Sequence, residues 1–322
     1  MQASDTQIEH PSGVGVIPVD TRLRSRTSPR NLILFTWALV LIASILPEIL
    51  LDQIAGRTVL WLNWFRIILF AALFLLTFLW RPIRPLRGIA ALLATIYLAS
   101  YIISRLDFRM SNFIGLLGGG SFTDRMQPEQ FGKLAVTLAV ILVLLALGYR
   151  RRALFLTPGR LDAPISPVRW MGFPKPDPWW SFGGQYGFYI AIGMGLVAWL
   201  VTRPTAEMWA SVVQVLPAIL LFAAINAFFE EMTFRAPMLA TLEPFTGTKQ
   251  AWAMSALFFG IAHFYGVPYG FLGVGLATLN GWLLGKAMLE TRGMFWAWWM
   301  HFLQDIVIFA FIAMGVVTPG GG

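Results

Sequence analysis

The feature that most constrains this chain is a succession of hydrophobic runs, most of them about as long as a membrane helix. Crossing the hydrocarbon core of a bilayer takes about 20 predominantly apolar residues in a helix. Backbone polar groups find no water there, so the runs must be helical. They cover residues 32–51, 59–80, 86–103, 131–149, 186–201, 209–239, 251–264, 269–289 and 294–317. The seventh run is short, so the pattern predicts an all-α, polytopic transmembrane bundle of eight or nine spans.

The composition agrees with this class of protein. Hydrophobic residues make up 57% of the chain and charged residues only 12%, against about 25% charged residues in a soluble domain. The net charge of +8 arises from basic residues between the hydrophobic runs, where the positive-inside rule and anionic lipid headgroups explain it. We therefore expect contact with the lipid bilayer and no nucleic acid. The absence of cysteine excludes disulfide bonds and thiolate metal sites.

The same pattern divides the chain into four parts. Residues 1–30 are polar and rich in arginine, which predicts a flexible cytoplasmic tail. Residues 31–150 hold the N-terminal membrane helices, residues 151–185 form a basic, proline-rich cytoplasmic loop, and residues 186–318 form a C-terminal membrane core. The distribution of loop charges predicts a multi-pass protein of the plasma or inner membrane with a cytoplasmic N-terminus.

One stretch of the sixth run carries ionisable groups where they are energetically costly. Glu230, Glu231 and Arg235 lie in an apolar region, which by default indicates a functional site. Glu231 and Arg235 have the favoured i,i+4 spacing for an ion pair. Glu230 points about 100° away, on the face of Asn226, and would stay free for chemistry. The alternative is a structural salt-bridge cluster of all three side chains. Pro237 is expected to kink or end the helix.

Two histidines also lie inside hydrophobic runs. His263 ends the seventh run and His301 lies in the last, with Asp305 on its face at i,i+4. Counted from the proposed cytoplasmic ends, Glu230, His263 and His301 all fall about 14 to 20 Å into the bilayer. This common depth predicts an intramembrane cavity in which the groups converge, suited to activating water on a carbonyl.

These residues resemble a known family. Glu230-Glu231-x-x-x-Arg235, Phe259-x-x-x-His263 and His301-x-x-x-Asp305 follow one another on successive spans. In this order they resemble the three motifs of the CPBP family, which contains the CAAX proteases and the bacteriocin-processing enzymes and is also called Abi. The resemblance covers residues 209–317. It implies an intramembrane endopeptidase whose substrate is a membrane-anchored or lipidated protein or peptide.

The resemblance also implies roles for the residues. Glu230 would be the general base that activates water, and His263 would help to hold that water. His301 and residue 305 would stabilise the oxyanion, while Asn226, Glu231, Arg235 and Phe259 would support the site. Position 305 is often asparagine in the family and is aspartate here, and an ionised aspartate cannot donate a hydrogen bond. Asp305 would then be protonated, orient His301 or help to bind a metal.

Metal dependence and two non-proteolytic functions are left open by the sequence. Zinc would suit the ligands Glu230, His263 and His301, but no His-Glu-x-x-His motif is present, and a metal-free glutamate mechanism is favoured. A proton-coupled transporter would also use intramembrane acids and histidines, although no internal repeat supports it. A non-catalytic membrane scaffold or immunity factor is the third hypothesis.

Overall fold

The computed structural model describes residues 30–56, 61–108, 117, 120–171 and 173–315. The predicted tail, residues 1–30, lies outside the described residues except for Arg30. Twelve α-helices are found in the described part: α1 Arg30–Ala43, α2 Leu46–Ala55, α3 Trp61–Leu79, α4 Arg87–Ile103, α5 Gly120–Ala146, α6 Trp179–Thr202, α7 Ala206–Gln214, α8 Leu216–Glu230, α9 Ala236–Thr246, α10 Thr248–Ala262, α11 Phe271–Thr291 and α12 Phe295–Ala313.

The predicted all-α polytopic bundle is confirmed. Seven helical segments of the described chain are long and apolar enough to cross a membrane, and there are eight if the bent pair α1–α2 counts as one span. The protein is therefore an integral multi-pass membrane protein. The seventh predicted run corresponds to α10, which has 15 residues and rises only about 22 Å. Its short length explains why the described part of the chain has at most eight candidate spans and not nine.

The bend between α1 and α2 measures 61° and is closed by a side chain from α3. Arg66 is buried and donates to the carbonyl oxygens of Ile42 at 2.8 Å and Ser44 at 2.6 Å. It also pairs with Glu48 on α2. A helix break within a bilayer leaves backbone groups without partners, and here the arginine supplies them.

The C-terminal helices pack closely around α12. Helices α6, α8 and α11 all lie against it, and α10 packs along α11. Small residues allow this approach. A Cβ atom at Gly183 would lie 2.7 Å from the ring of Trp296, and one at Gly260 would lie 2.8 Å from the carbonyl oxygen of Val274. The helices that carry the candidate site are therefore held in fixed register.

The proline-rich segment between α5 and α6 packs on the turn between α11 and α12. The backbone N–H of Arg160 donates to Thr291 at 2.8 Å, and that of Met294 donates to Thr157 at 2.9 Å. Glu290 accepts from the indole of Trp179 at 2.9 Å. This capping segment, residues 147–178, fixes the end of the bundle where α12 begins.

Candidate functional site

The helix that carries the two glutamates is irregular where they lie. Glu230 ends α8, and Glu231–Arg235 form a π-helical turn before α9 begins. The N–H of Ala236 donates to the carbonyl oxygen of Glu231, five residues earlier. Pro237 has no N–H to donate and its ring disfavours regular α-helix, and the carbonyl oxygen of Phe234 accepts from the Ser255 hydroxyl at 2.8 Å. The expected disturbance thus lies one turn before the proline, and the span continues as far as Thr246.

Glu231 and Arg235 form an ion pair, and both side chains are fully buried. The pair does more than neutralise itself. Oε1 of Glu231 also lies 2.8 Å from Nδ1 of His301. The guanidinium of Arg235 stacks 4.0 Å from the ring centroid of Phe259, and its Nε donates to Gly281 at 3.3 Å. Glu231 therefore orients a histidine from another helix, while Arg235 anchors Glu231.

Glu230 points away from this pair, on the side of Asn226. Its Oε1 accepts from Nδ2 of Asn226 at 3.0 Å. Its Oε2 lies 3.4 Å from Nε2 of His301 and 4.0 Å from Nε2 of His263. Among the described residues, no hydrogen-bond donor serves Oε2. The structure thus brings the predicted acid and both histidines together, with one carboxylate oxygen facing the two rings.

The two histidines are held in different surroundings. His263 follows the last residue of α10, and its Nδ1 donates to the carbonyl oxygen of Phe259 at 2.8 Å. A neutral His263 therefore presents its Nε2 lone pair to Glu230. Its side chain is 36% exposed, whereas that of His301 is 5% exposed. His263 borders the open side of the site, and His301 forms its inner wall.

Asp305 is buried and lies on the Nε2 side of the His301 ring. Its Oδ1 is 3.9 Å from Nε2 of His301, and its Oδ2 accepts from Nδ2 of Asn226 at 3.1 Å. The Asn226 amide therefore bridges two carboxylates, those of Glu230 and Asp305. Oδ1 is too far from Nε2 of His301 for a hydrogen bond, so the three roles considered for Asp305 stay predictions.

Sequence reasoning missed one charged residue beside the site. Lys133, on α5, donates from Nζ to Oδ1 of Asn226 at 2.9 Å and pairs with Glu129 at 2.7 Å. The fourth span was predicted to begin at Phe131, which placed Glu129 in a loop, but α5 begins at Gly120. The rule that an ionisable group inside a span indicates a functional site would have identified Lys133.

The arrangement does not fit the zinc site left open by the sequence. No group of three His, Asp or Glu side chains in the described part of the chain is placed to hold a metal ion. Zinc needs nitrogen and oxygen ligands at about 2.0 to 2.2 Å around one point. Nε2 of each histidine faces the Glu230 carboxylate instead. The metal-free mechanism favoured by the sequence stays a prediction.

A known protein family matches the part of the chain that carries the site. Residues 212–307 match the family described as type II CAAX prenyl endopeptidase, Rce1-like. The resemblance to the CAAX-protease family is confirmed. The Rce1-like segment contains Asn226, both glutamates, both histidines and Asp305, whereas Lys133 lies outside it. The comparisons with curated proteins and with solved structures gave no match. The match supports intramembrane endopeptidase activity and a membrane-associated protein substrate.

Proposed function

We propose that this chain hydrolyses a peptide bond of a membrane-anchored or lipidated protein or peptide, with Glu230 as the general base that activates water. The supporting observation is the placement of Glu230. Its Oε1 is held by Asn226, while Oε2 has no donor among the described residues and faces the imidazoles of His263 and His301. We also propose the cytoplasmic N-terminus in the cell membrane that the loop charges predict.

The reaction follows from the hydrogen-bonding capacity of these groups. A water molecule beside Oε2 gives a proton to Glu230 as its oxygen attacks the scissile carbonyl carbon. Nδ1 of His263 already donates to the carbonyl oxygen of Phe259. The Nε2 lone pair therefore accepts a hydrogen bond from the second O–H of that water. When the tetrahedral intermediate collapses, the carbon–nitrogen bond breaks and Glu230 returns the proton to the leaving amine.

His301 is suited to stabilise the oxyanion. In its cationic form both ring nitrogens donate. Nδ1 donates to Glu231, and Nε2 is left to face the reacting atoms. An oxyanion donor in a site of this kind contributes about 3 to 4 kcal/mol to transition-state stabilisation. Asp305 accepts a hydrogen bond from Asn226, and its Oδ1 lies on the Nε2 side of His301, where it borders the site.

The proposal is tested by comparing protein termini in cells that express wild type or Glu230→Gln at equal levels. N-terminal and C-terminal peptides of membrane proteins are quantified by mass spectrometry. We expect a defined set of new termini with wild type, and their loss by about 100- to 10,000-fold in rate with Glu230→Gln. Glu243→Gln is the matched control, because Glu243 lies near the end of the same span, where its side chain bonds to Thr248 and Arg292.

Identical terminal profiles for wild type and Glu230→Gln would contradict the proteolytic function. If a cellular effect of the wild type also persisted in Glu230→Gln, a non-catalytic scaffold would become the better interpretation. Loss of that effect together with unchanged termini would favour a proton-coupled carrier.

A further inference from the structure

The ammonium group of Lys133 has two partners. Lys133 lies on α5, outside the Rce1-like segment, and its side chain is 28% exposed. Its Nζ lies 2.7 Å from the Glu129 carboxylate and 2.9 Å from Oδ1 of Asn226. A lysine at membrane depth is unfavourable unless it is paired. Glu129 supplies the opposite charge, so the bond to Asn226 is additional to what neutralisation needs.

The Asn226 amide is the connection between this lysine and the site. Its oxygen accepts from Lys133, and its nitrogen donates to Glu230 at 3.0 Å and to Asp305 at 3.1 Å. If the amide were rotated by 180°, its oxygen would face two carboxylates, which only accept, and its NH₂ group would face an ammonium, which only donates. The lysine and the two carboxylates therefore favour the same orientation of the amide, and the lysine holds it from the side of its oxygen.

We propose that Lys133 is a positioning residue for hydrolysis. By binding Oδ1 of Asn226, it directs the two Nδ2 hydrogens to Glu230 and Asp305. This holds Oε1 of Glu230 and turns Oε2 towards the two imidazoles, where the attacking water is activated. The inference rests on the proposed function and adds to it a helix that the family match does not include.

The position of Lys133 separates this role from two simpler ones. Its Nζ is not in hydrogen-bond contact with Glu230, so the lysine does not act on the reacting atoms itself. A role limited to packing of α5 on α8 would affect the stability of the protein and would not depend on the Asn226 amide. A positioning role acts through Asn226, so its effect must disappear when that amide is removed.

The experiment uses the full chain in lipid nanodiscs and a farnesylated peptide with a CAAX ending, labelled with a fluorophore and quencher on either side of the scissile bond. We expect Lys133→Met to lower kcat by about 10- to 100-fold and to leave KM unchanged, because Lys133 does not contact the substrate. Lys133→Gln retains an N–H donor and is expected to recover part of this loss. Lys249→Met, a lysine substitution near the start of α10, is the control.

A mutant cycle with Asn226 decides between the outcomes. We expect Lys133→Met to have no further effect on kcat in the Asn226→Ala background. Equal losses in both backgrounds, or an unchanged kcat for both Lys133→Met and Lys133→Gln, would overturn the proposal while leaving the proteolytic function intact. A wild type that cleaves the probe no faster than Glu230→Gln, and that also leaves the terminal peptides of membrane proteins in cells identical to those with Glu230→Gln, would instead remove the proposed function, and this inference with it.

Discussion

Two arginine–glutamate pairs in this molecule each contain a fully buried arginine, and they differ in what surrounds them. Arg66 pairs with Glu48 at the bend between α1 and α2, and Arg235 pairs with Glu231 in the π turn. Arg66 uses Nε, Nη1 and Nη2 as donors, to two carbonyl oxygens and both carboxylate oxygens. Nη2 of Arg235 and Oε2 of Glu231 have no hydrogen-bond partner among the described residues.

The difference separates a structural use of a buried ion pair from one connected to chemistry. The Arg66 pair ends on backbone carbonyl oxygens at the bend, and its guanidinium lies 5.3 Å from the ring centroid of Tyr97, so its contacts hold helices together. The Arg235 pair continues through Glu231 to His301, and from there to Glu230. A buried ion pair is by itself weak evidence of stabilisation, and the groups to which it is connected indicate its role.

The largest effect is expected from breaking the Arg66–Glu48 pair. Arg66→Met leaves Glu48 without its partner and the carbonyl oxygens of Ile42 and Ser44 without a donor. Because each buried carbonyl oxygen left without a donor costs about 1 to 3 kcal/mol, we expect the free energy of unfolding to fall by about 2 to 6 kcal/mol, while kcat per folded molecule stays at the wild-type value. Unfolding in mixed micelles measures the first quantity, and the fluorogenic peptide measures the second. A loss of kcat in the remaining folded protein would show that the two pairs are not functionally separate.

An intermediate effect is expected from breaking the Arg235–Glu231 pair. Glu231→Gln replaces the carboxylate beside Nδ1 of His301 by a neutral amide, so the imidazolium loses its charged partner. We expect kcat to fall by about 10- to 100-fold, which corresponds to about 1.4 to 2.8 kcal/mol. The matched control is Glu48→Gln, which makes the same chemical change in the Arg66–Glu48 pair and should leave kcat unchanged. Equal kcat for the two variants would remove the distinction between the pairs.

The smallest effect is expected from an arginine–glutamate pair outside the core. Arg292 lies 3.4 Å from Glu243, and its side chain is 63% exposed. Water screens such a pair, so Arg292→Met is expected to change the free energy of unfolding by less than about 1 kcal/mol. The same unfolding assay provides the measurement. A change as large as that of Arg66→Met would mean that burial does not explain the difference between the pairs.

The sequence contained most of the architecture because hydrophobic length and helix geometry determine it. The common depth of Glu230, His263 and His301 could be predicted by counting residues, since each turn of a helix has a fixed rise. The contacts of Lys133 could not, because which helix lies beside Asn226 depends on packing between spans that hydropathy does not encode. The packing of the capping segment could not be predicted for a similar reason. Its hydrogen bonds to the α11–α12 turn are made by backbone groups, which the pattern of side chains does not reveal.

The π turn has a consequence for how related chains compare with this one. A π-helical bond closes over five residues where an α-helical bond closes over four, so the turn holds one residue more than a regular helix of the same rise. Removing a single residue between Glu231 and Arg235 would restore regular winding. Every side chain from Ala236 onwards would then keep its present orientation relative to Glu230, because the wider turn absorbs the extra residue locally. In a sequence alignment, a one-residue gap at this point would therefore mark a protein with a regular helix here, in which the second glutamate and the arginine are spaced i,i+3 and the rest of the span keeps its orientation.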